Sequence, residues 1–192
     1  MDRRAVIALL ALIGPVLTSC ASRPQDPQEF LDEKSASTTL VAAKPLVFAR
    51  DRSDVAAHAR DYATLVAVEV DQSGDYGEYM ILYRWSTVDR RMAAPPPSNA
   101  GELRLIADGR VIDLPPLERL PVGLQHRRLL HLPAHGDVVP RAYRVDADVL
   151  NSLAASRVVI LRMPQESLDT PFTLWEDGRG ELTRFLQRAA AP

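Results

Sequence analysis

The chain has 192 residues, of which 46% are hydrophobic and 25% are charged, and its formal net charge at pH 7 is −2. A nearly neutral protein has no strong field that draws it to nucleic acid, so we expect no nucleic-acid partner. The chain contains 1 cysteine, which excludes a disulfide within the chain and a zinc site built from several thiolates.

The first residues have the features of a secretory leader. Arg3 and Arg4 form a basic start, and a nearly unbroken apolar run over 5–17 follows. This run of about thirteen residues is too short to cross a hydrocarbon core, which needs roughly 20, but it suits the apolar region of a signal peptide. We therefore interpret residues 1–19 as a signal peptide.

The only cysteine follows this run directly, in the sequence Leu17-Thr18-Ser19-Cys20. These residues resemble the lipobox of bacterial lipoproteins, in which a signal peptidase cuts before the cysteine and the cysteine is acylated. The resemblance implies that Cys20 anchors the protein stably in a membrane. An Asp after the cysteine usually signals inner-membrane retention in such proteins; Ala21 stands here, which implies the outer membrane, facing the periplasm. The alternative, a secretory signal with a chance cysteine, would leave an unpaired thiol in an exported protein.

The segment after the cysteine is polar. Residues 20–38 contain Pro24 and Pro27 and show no lasting apolar period. We predict that they form a flexible tether, and that 39–192 form a single β-rich globular domain.

Short strands dominate the first half of that domain. The predicted strands cover 39–43, 46–49, 64–70, 78–88, 102–107 and 110–114. Asp108-Gly109 predicts a tight hairpin between the last two, since both central residues of such a turn take a positive φ. Residues 71–75 predict a second hairpin loop. A short helix is expected over 51–59, because Asp51 or Asp54 can cap it.

The second half is predicted to contain more helix. A strand is expected over 128–132, and a helix with Asp146 as its N-cap follows. Further strands over 157–162 and 171–175 lead to a terminal helix that starts at Asp177 or Gly178. Its apolar stripe is formed by Leu182, Phe185, Leu186 and Ala189. We expect this stripe to pack on the core; the alternative is an exposed stripe that docks a partner.

About eight short strands with hairpin connections favour a mainly β fold. We predict an antiparallel sandwich or open barrel with two or three short helices, with α+β as the alternative. Stretches over 46–52, 59–62 and 83–89 are similar to those of small uncharacterised Gram-negative envelope lipoproteins. That group has no assigned activity, so this resemblance supports the location and implies no mechanism.

Catalytic and metal-binding patterns are weak. His126 and His131 would project to opposite faces of a strand, and Pro133 prevents a helix that would join His131 to His135. We therefore expect no metal site. Ser73 lies in a predicted hairpin and lacks the spacing of a hydrolase nucleophile. No glycine-rich phosphate loop is present, and we expect no cofactor and no catalytic residue.

The strand over 78–88 carries the best candidate surface. Tyr79, Ile81, Tyr83 and Trp85 share one face, and Met80, Leu82 and Arg84 share the other. Two apolar faces are typical of a central strand buried on both sides. The alternative is that Tyr83, Arg84 and Trp85 line a shallow groove for a ligand or partner, because aromatic residues and arginine are common at interface hot spots.

A mixed-sign cluster lies nearby in sequence, formed by Arg50-Asp51-Arg52 and Arg60-Asp61. We interpret it as a solvated, self-paired surface, with a docking site as the alternative.

Two functions remain open. The favoured one is a lipid-anchored envelope protein that acts as a non-catalytic binding or scaffolding module, held in the membrane through acylated Cys20 and bound to an envelope protein. The alternative is a periplasmic hydrolase whose site is assembled from dispersed residues, which no local motif would reveal.

Overall fold

The computed structural model describes residues 25–88, 101–125, 129–130, 132, 138–163 and 170–190. The first five strands are β1 Gln28–Asp32, β2 Ser37–Val41, β3 Leu46–Asp51, β4 Arg60–Gln72 and β5 Asp75–Ser86. The next three are β6 Leu103–Ala107, β7 Arg110–Leu114 and β8 Arg141–Val145, and helix α1 spans Ala147–Ala155. The last elements are β9 Val159–Arg162, β10 Phe172–Glu176 and helix α2 Arg179–Ala189. A short 3₁₀ turn covers Val122–Leu124.

These strands form one 10-stranded sheet in which neighbouring strands are antiparallel. The long hairpin of β4 and β5 lies at its centre, and β8 pairs with the free side of β5. The other side of β4 is shared: its first half pairs with β3 and its second half with β2. From there β1 extends β2, while β10, β9, β6 and β7 extend β3.

The sheet curls until its two ends meet. Pro116, just after β7, forms an antiparallel bridge with Tyr143 of β8, and the Leu117 amide donates to the Ala142 carbonyl at 2.8 Å. The main core is enclosed by these strands and contains residues from both helices, including the fully buried Leu150 and Phe185. This arrangement confirms the predicted mainly β class, an open antiparallel barrel with few helices.

Two tight hairpins, β4–β5 and β6–β7, are closed by turn residues with positive φ values. Asp108 and Gly109 have φ values of 48° and 88°, and Ser73 and Gly74 have values of 57° and 92°. Paired positive φ values give the turn a twist that matches the flanking strands. The Asp108 carboxylate also accepts hydrogen bonds from the backbone amides of Arg157 and Val158, which ties the hairpin tip to the start of β9.

Strand β5 is buried on both faces, as predicted. Met80 and Leu82 face the main core, whereas Ile81 and Tyr83 belong to a second apolar cluster on the outer face of the sheet. Leu124 covers this second cluster.

Both helices form as predicted. The Asp146 side chain caps α1 by accepting from the Val149 amide at 2.8 Å. Helix α2 begins after Gly178 and buries Leu182 and Phe185 in the main core. The docking alternative for this stripe is therefore wrong.

The predicted tether over 20–38 is wrong from Gln28 onward. Residues Gln28–Asp32 form β1, and β2 already begins at Ser37. The pattern was hard to recognise because β1 lies at the margin of the sheet and is mostly exposed, with only Phe30 packed against the second apolar cluster. The folded domain therefore starts about ten residues earlier than the sequence indicated.

The predicted helix over 51–59 is also wrong. Strand β3 continues to Asp51 and pairs there with Arg60, and the Arg52 amide donates to the Ala59 carbonyl at 2.8 Å. The intervening residues close this hairpin by turns, so too few are left for a helix. The predicted strand over 128–132 is not formed at residues 129, 130 and 132, which are the described part of it. Histidines 126, 131 and 135, at which we expect no metal site, lie outside the described residues.

Candidate functional site

Both tryptophans of the chain lie in one exposed cluster on the outer wall of the barrel. We call the group of Tyr62, Trp85, Trp175 and Arg60 the aromatic patch. Its members come from β4, β5 and β10, and the two tryptophans are far apart in sequence. Strand pairing brings them together.

The register explains this convergence. Tyr62 pairs with Trp85 on one side and with Ala49 on the other, and Ala49 in turn pairs with Thr173. Paired residues of adjacent strands project to the same face of a sheet, so these positions form a row across four strands. A bulge in β10 after Leu174 then places Trp175 beside Tyr62.

The aromatic rings make specific contacts with each other. Tyr62 and Trp85 stack with their centroids 4.1 Å apart and their planes 9° apart. Trp175 meets Tyr62 edge to face at 6.4 Å, and the Arg60 guanidinium lies 4.4 Å from the Trp175 ring centre. The Trp85 indole N–H donates to the Thr64 hydroxyl at 3.1 Å. These contacts fix the orientation of the rings before any partner binds.

The rings differ in exposure. Tyr62 is buried, with 9% of its surface accessible, and forms the floor of the patch together with Val47 and Ala49. Trp175 is 53% exposed, and Trp85 is intermediate. A preorganised aromatic surface of this type can bind the apolar part of a partner at low entropic cost.

The charged residues near this end of β3 and β4 lie on both faces of the sheet and are paired with one another. Asp61 accepts from Arg50 at 2.9 Å and from Arg52 at 2.8 Å, and Arg52 also contacts Asp54. Arg60 contacts Asp51 at 2.8 Å. The self-paired interpretation of this cluster is therefore confirmed.

One member of the cluster is not solvated. The Arg50 side chain is only 3% exposed, and its guanidinium lies 4.2 Å from the ring centre of Phe172. Partial burial of Asp61 would by itself raise the pKa of that carboxyl, but the hydrogen bonds from Arg50 and Arg52 outweigh burial and lower the pKa. Arg50 and Asp61 therefore contribute to the fold rather than to a solvated surface.

The predicted groove of Tyr83, Arg84 and Trp85 is not formed as one surface. Tyr83 is 5% exposed and lies in the second apolar cluster. Arg84 projects to the other face of β5, the face of Met80 and Leu82. Only Trp85 belongs to the aromatic patch, because alternation along a strand separates it from Arg84.

A concave region, which we call the acidic pocket, lies at the end of β4 that is far from the aromatic patch. It has a volume of about 240 Å³ and is lined by Glu29, Thr38, Leu40, Glu69, Asp71, Tyr76, Arg188 and Ala189. Burial raises the pKa of Glu69, and the neighbouring carboxylates of Glu78 and Asp71 raise it further. None of the described residues that line this pocket is a histidine.

Within the described ranges, no group of histidine, cysteine and acidic residues is placed to hold a metal ion. No helix in this part of the chain is long and apolar enough to span a membrane. Cys20 lies outside the described residues.

Comparison of the chain with protein-family models, curated proteins and solved structures found no match.

Sequence reasoning missed Tyr62 and Trp175 as members of the site. The one available signal was that Trp175 and Trp85 each fall on a predicted strand. The pairing of β10 with β3, which brings them together, joins residues more than a hundred positions apart and has no local signature.

Proposed function

We propose that this protein is a lipid-anchored module of the bacterial cell envelope that binds another envelope protein through the aromatic patch. Acylated Cys20 would hold it in the outer membrane, facing the periplasm, as the lipobox residues Leu17-Thr18-Ser19-Cys20 imply. The role is binding or scaffolding rather than catalysis.

The observation that carries this proposal is the aromatic patch. Tryptophan, tyrosine and arginine are the residue types most enriched at interface hot spots, and Tyr62, Trp85, Trp175 and Arg60 supply all three within contact distance of one another. The Arg60 guanidinium of the patch is already paired with Asp51. This favours a partner that presents an uncharged, apolar surface over one that is recognised by its charge.

Position-specific crosslinking tests the patch in the native envelope. A photoreactive amino acid replaces Thr173, which is exposed in the same cross-strand row as Tyr62. In a matched control it replaces Val111, which is 53% exposed on β7. We expect one discrete crosslinked protein from position 173 and none from position 111. Adding Trp175→Ala should weaken binding by about 2 kcal/mol or more, as hot-spot truncations do, and remove that product.

The same product from both positions, or a product that is unaffected by Trp175→Ala, would show that the patch is not the binding surface. The anchor is tested separately. Cys20→Ser should leave unprocessed precursor without acyl mass, and a mature N-terminus at any other residue would refute the lipobox interpretation.

A further inference from the structure

The chain is fastened to helix α2 only a few residues after the cysteine. The Gln25 carbonyl accepts a hydrogen bond from the Arg184 guanidinium at 3.3 Å, and Glu29 pairs with Arg188 at 3.3 Å. From Gln28 onward the chain is a strand of the main sheet. The distance between Cys20 and the domain is therefore limited by the length of the five peptide links from Cys20 to Gln25.

This length is small compared with the domain. The peptide links from Cys20 to Gln25 span at most about 18 Å when fully extended. A compact domain of this size has a radius of gyration of about 15 Å, and therefore a diameter of about 40 Å. If Cys20 is acylated, Gln25 must stay within about 18 Å of the membrane surface, so the domain cannot turn the opposite side toward the lipid.

The side around Gln25 exposes apolar and amphipathic side chains beside the carboxylates of the acidic pocket. Leu31 and Tyr76 are 66% and 60% exposed, and a cross-strand row joins them through Thr38 and Asp71. Arg188 lies next to this row, at the acidic pocket. An exposed tyrosine and the long stem of an arginine both place an apolar part against lipid and a polar end in water.

The aromatic patch lies on the other face of the sheet. Leu182 and Phe185 of α2 pack on the inner face with Phe48, whereas Tyr62, Val47 and Ala49 lie on the outer face of the same strands. Along β4, Tyr62 and Glu69 are separated by about 23 Å, at roughly 3.3 Å per residue. A surface that faces the membrane at α2 therefore leaves the patch on the far side.

We propose that the side formed by β1 and α2 is apposed to the lipid surface and that the aromatic patch is presented away from it, toward a partner in the periplasm. The hydrogen bond of Arg184 to Gln25 and the ion pair of Arg188 with Glu29 set this orientation. The inference depends on the proposed acylation of Cys20.

Quenching by lipid-borne nitroxides tests the orientation. The acylated full-length protein is placed in phosphatidylethanolamine–phosphatidylglycerol vesicles that carry a nitroxide on the headgroup. Because Cys20 is the only natural cysteine and is blocked by lipid, a single new cysteine can be labelled with a fluorophore. Gln187→Cys reports from the exposed side of α2, and Thr173→Cys reports from beside the patch.

We expect quenching at position 187 to be several times stronger than at position 173. A Gly/Ser insertion of about twenty residues after Ser22 should make the two positions nearly equal, because it lets the domain turn freely. Arg184→Ala combined with Arg188→Ala should reduce the difference in part, since β1 still holds Gln28.

Equal quenching of the two positions in a bound, acylated protein would overturn the orientation while leaving the anchor intact. A difference that persists unchanged after the insertion would overturn the role of the tether. Protein that lacks acyl mass and stays in solution would instead refute the anchor, and the orientation with it.

Discussion

Arg50 and Arg52 both donate to the Asp61 carboxylate, at 2.9 and 2.8 Å. Since the Arg50 side chain is only 3% exposed, loss of the Asp61 charge weakens the neutralisation of a cation in a poorly solvated site. We predict that Asp61→Asn lowers the free energy of unfolding by about 2–3 kcal/mol, somewhat less than for a fully buried pair, because Asp61 retains some solvent contact. Urea titration at pH 7 measures the change.

The matched control for this prediction is Asp54→Asn. Asp54 also pairs with Arg52, but its side chain is 53% exposed, so the loss of stability should be much smaller than for Asp61→Asn, because solvent screens an exposed pair. Equal effects of the two substitutions would mean that burial of Arg50 is unimportant for stability.

At this scale the sequence predicted that these charges pair with one another, but not that Arg50 is buried. Alternating signs in Arg50-Asp51-Arg52 and Arg60-Asp61 indicated self-pairing correctly. The burial of Arg50 depends on Phe172, which lies on a strand that pairs with β3 from the far end of the chain. The sequence around Arg50 gives no indication of its contact with Phe172.

At the scale of elements, the apolar stripe of helix α2 contributes directly to the stability of the domain, because it packs in the main core. Phe185 is 0% exposed within the main core. A helix of this length is marginal alone and is held by its packing, so Phe185→Ala should cost about 3–5 kcal/mol through lost burial and the cavity that remains. Thermal unfolding of the protein without residues 1–19 should show a melting temperature lower by many degrees.

Gln187→Ala is the control within the same helix, because Gln187 is exposed. Surface substitutions of this kind usually change stability by less than about 0.5 kcal/mol. An unchanged melting temperature for Phe185→Ala would contradict the packing of α2 on the core.

Elements with a local signature were predictable, and those without one were not. Asp108-Gly109 and the stripe of α2 each combine a turn or cap signal with an apolar period, and both were predicted correctly. Strand β1 offers mostly exposed residues, and the loop over 52–59 carries capping residues that the tight β3–β4 hairpin overrides. In both cases tertiary pairing decides the outcome.

For the whole molecule, the sequence predicted the fold class but not the order of strands. Hairpins such as β4–β5 follow from adjacency, whereas the pairing of β10 with β3 and the closing bridge of Pro116 with Tyr143 are distant in sequence. The aromatic patch depends on the first of these distant pairings. Its position could therefore not be predicted, although Trp85 was recognised.

The pH dependence of the free energy of unfolding combines two opposite effects. Folding lowers the pKa of the Asp61 carboxyl and raises the pKa of the Glu69 carboxyl. The pKa of Asp61 lies below its ordinary value of 3.8, owing to the arginine hydrogen bonds that outweigh its burial. Its contribution to stability is present above pH 3.8 and is lost as the pH falls through the lowered pKa.

Glu69 acts in the opposite direction. Its pKa is raised above 4.5 by burial and by the charges of Glu78, its cross-strand partner, and Asp71, while Glu29 and Arg188 face the same pocket. Between 4.5 and the raised pKa the folded protein binds more protons than the unfolded chain, so stability falls as the pH rises. The two effects together favour a stability maximum in mild acid.

We therefore predict that Glu69→Gln stabilises the domain at pH 7 and flattens the decline of stability above pH 4.5. The gain should be about 0.2–1 kcal/mol, since like charges that face each other across two strands are destabilising by this amount. Urea titrations from pH 4 to pH 8 measure both effects, and Glu118→Gln, at an exposed position outside the acidic pocket, serves as the control. A loss of stability in Glu69→Gln at pH 7 would mean that the Glu69 carboxylate is stabilised in the folded state, contrary to the repulsion that this geometry implies.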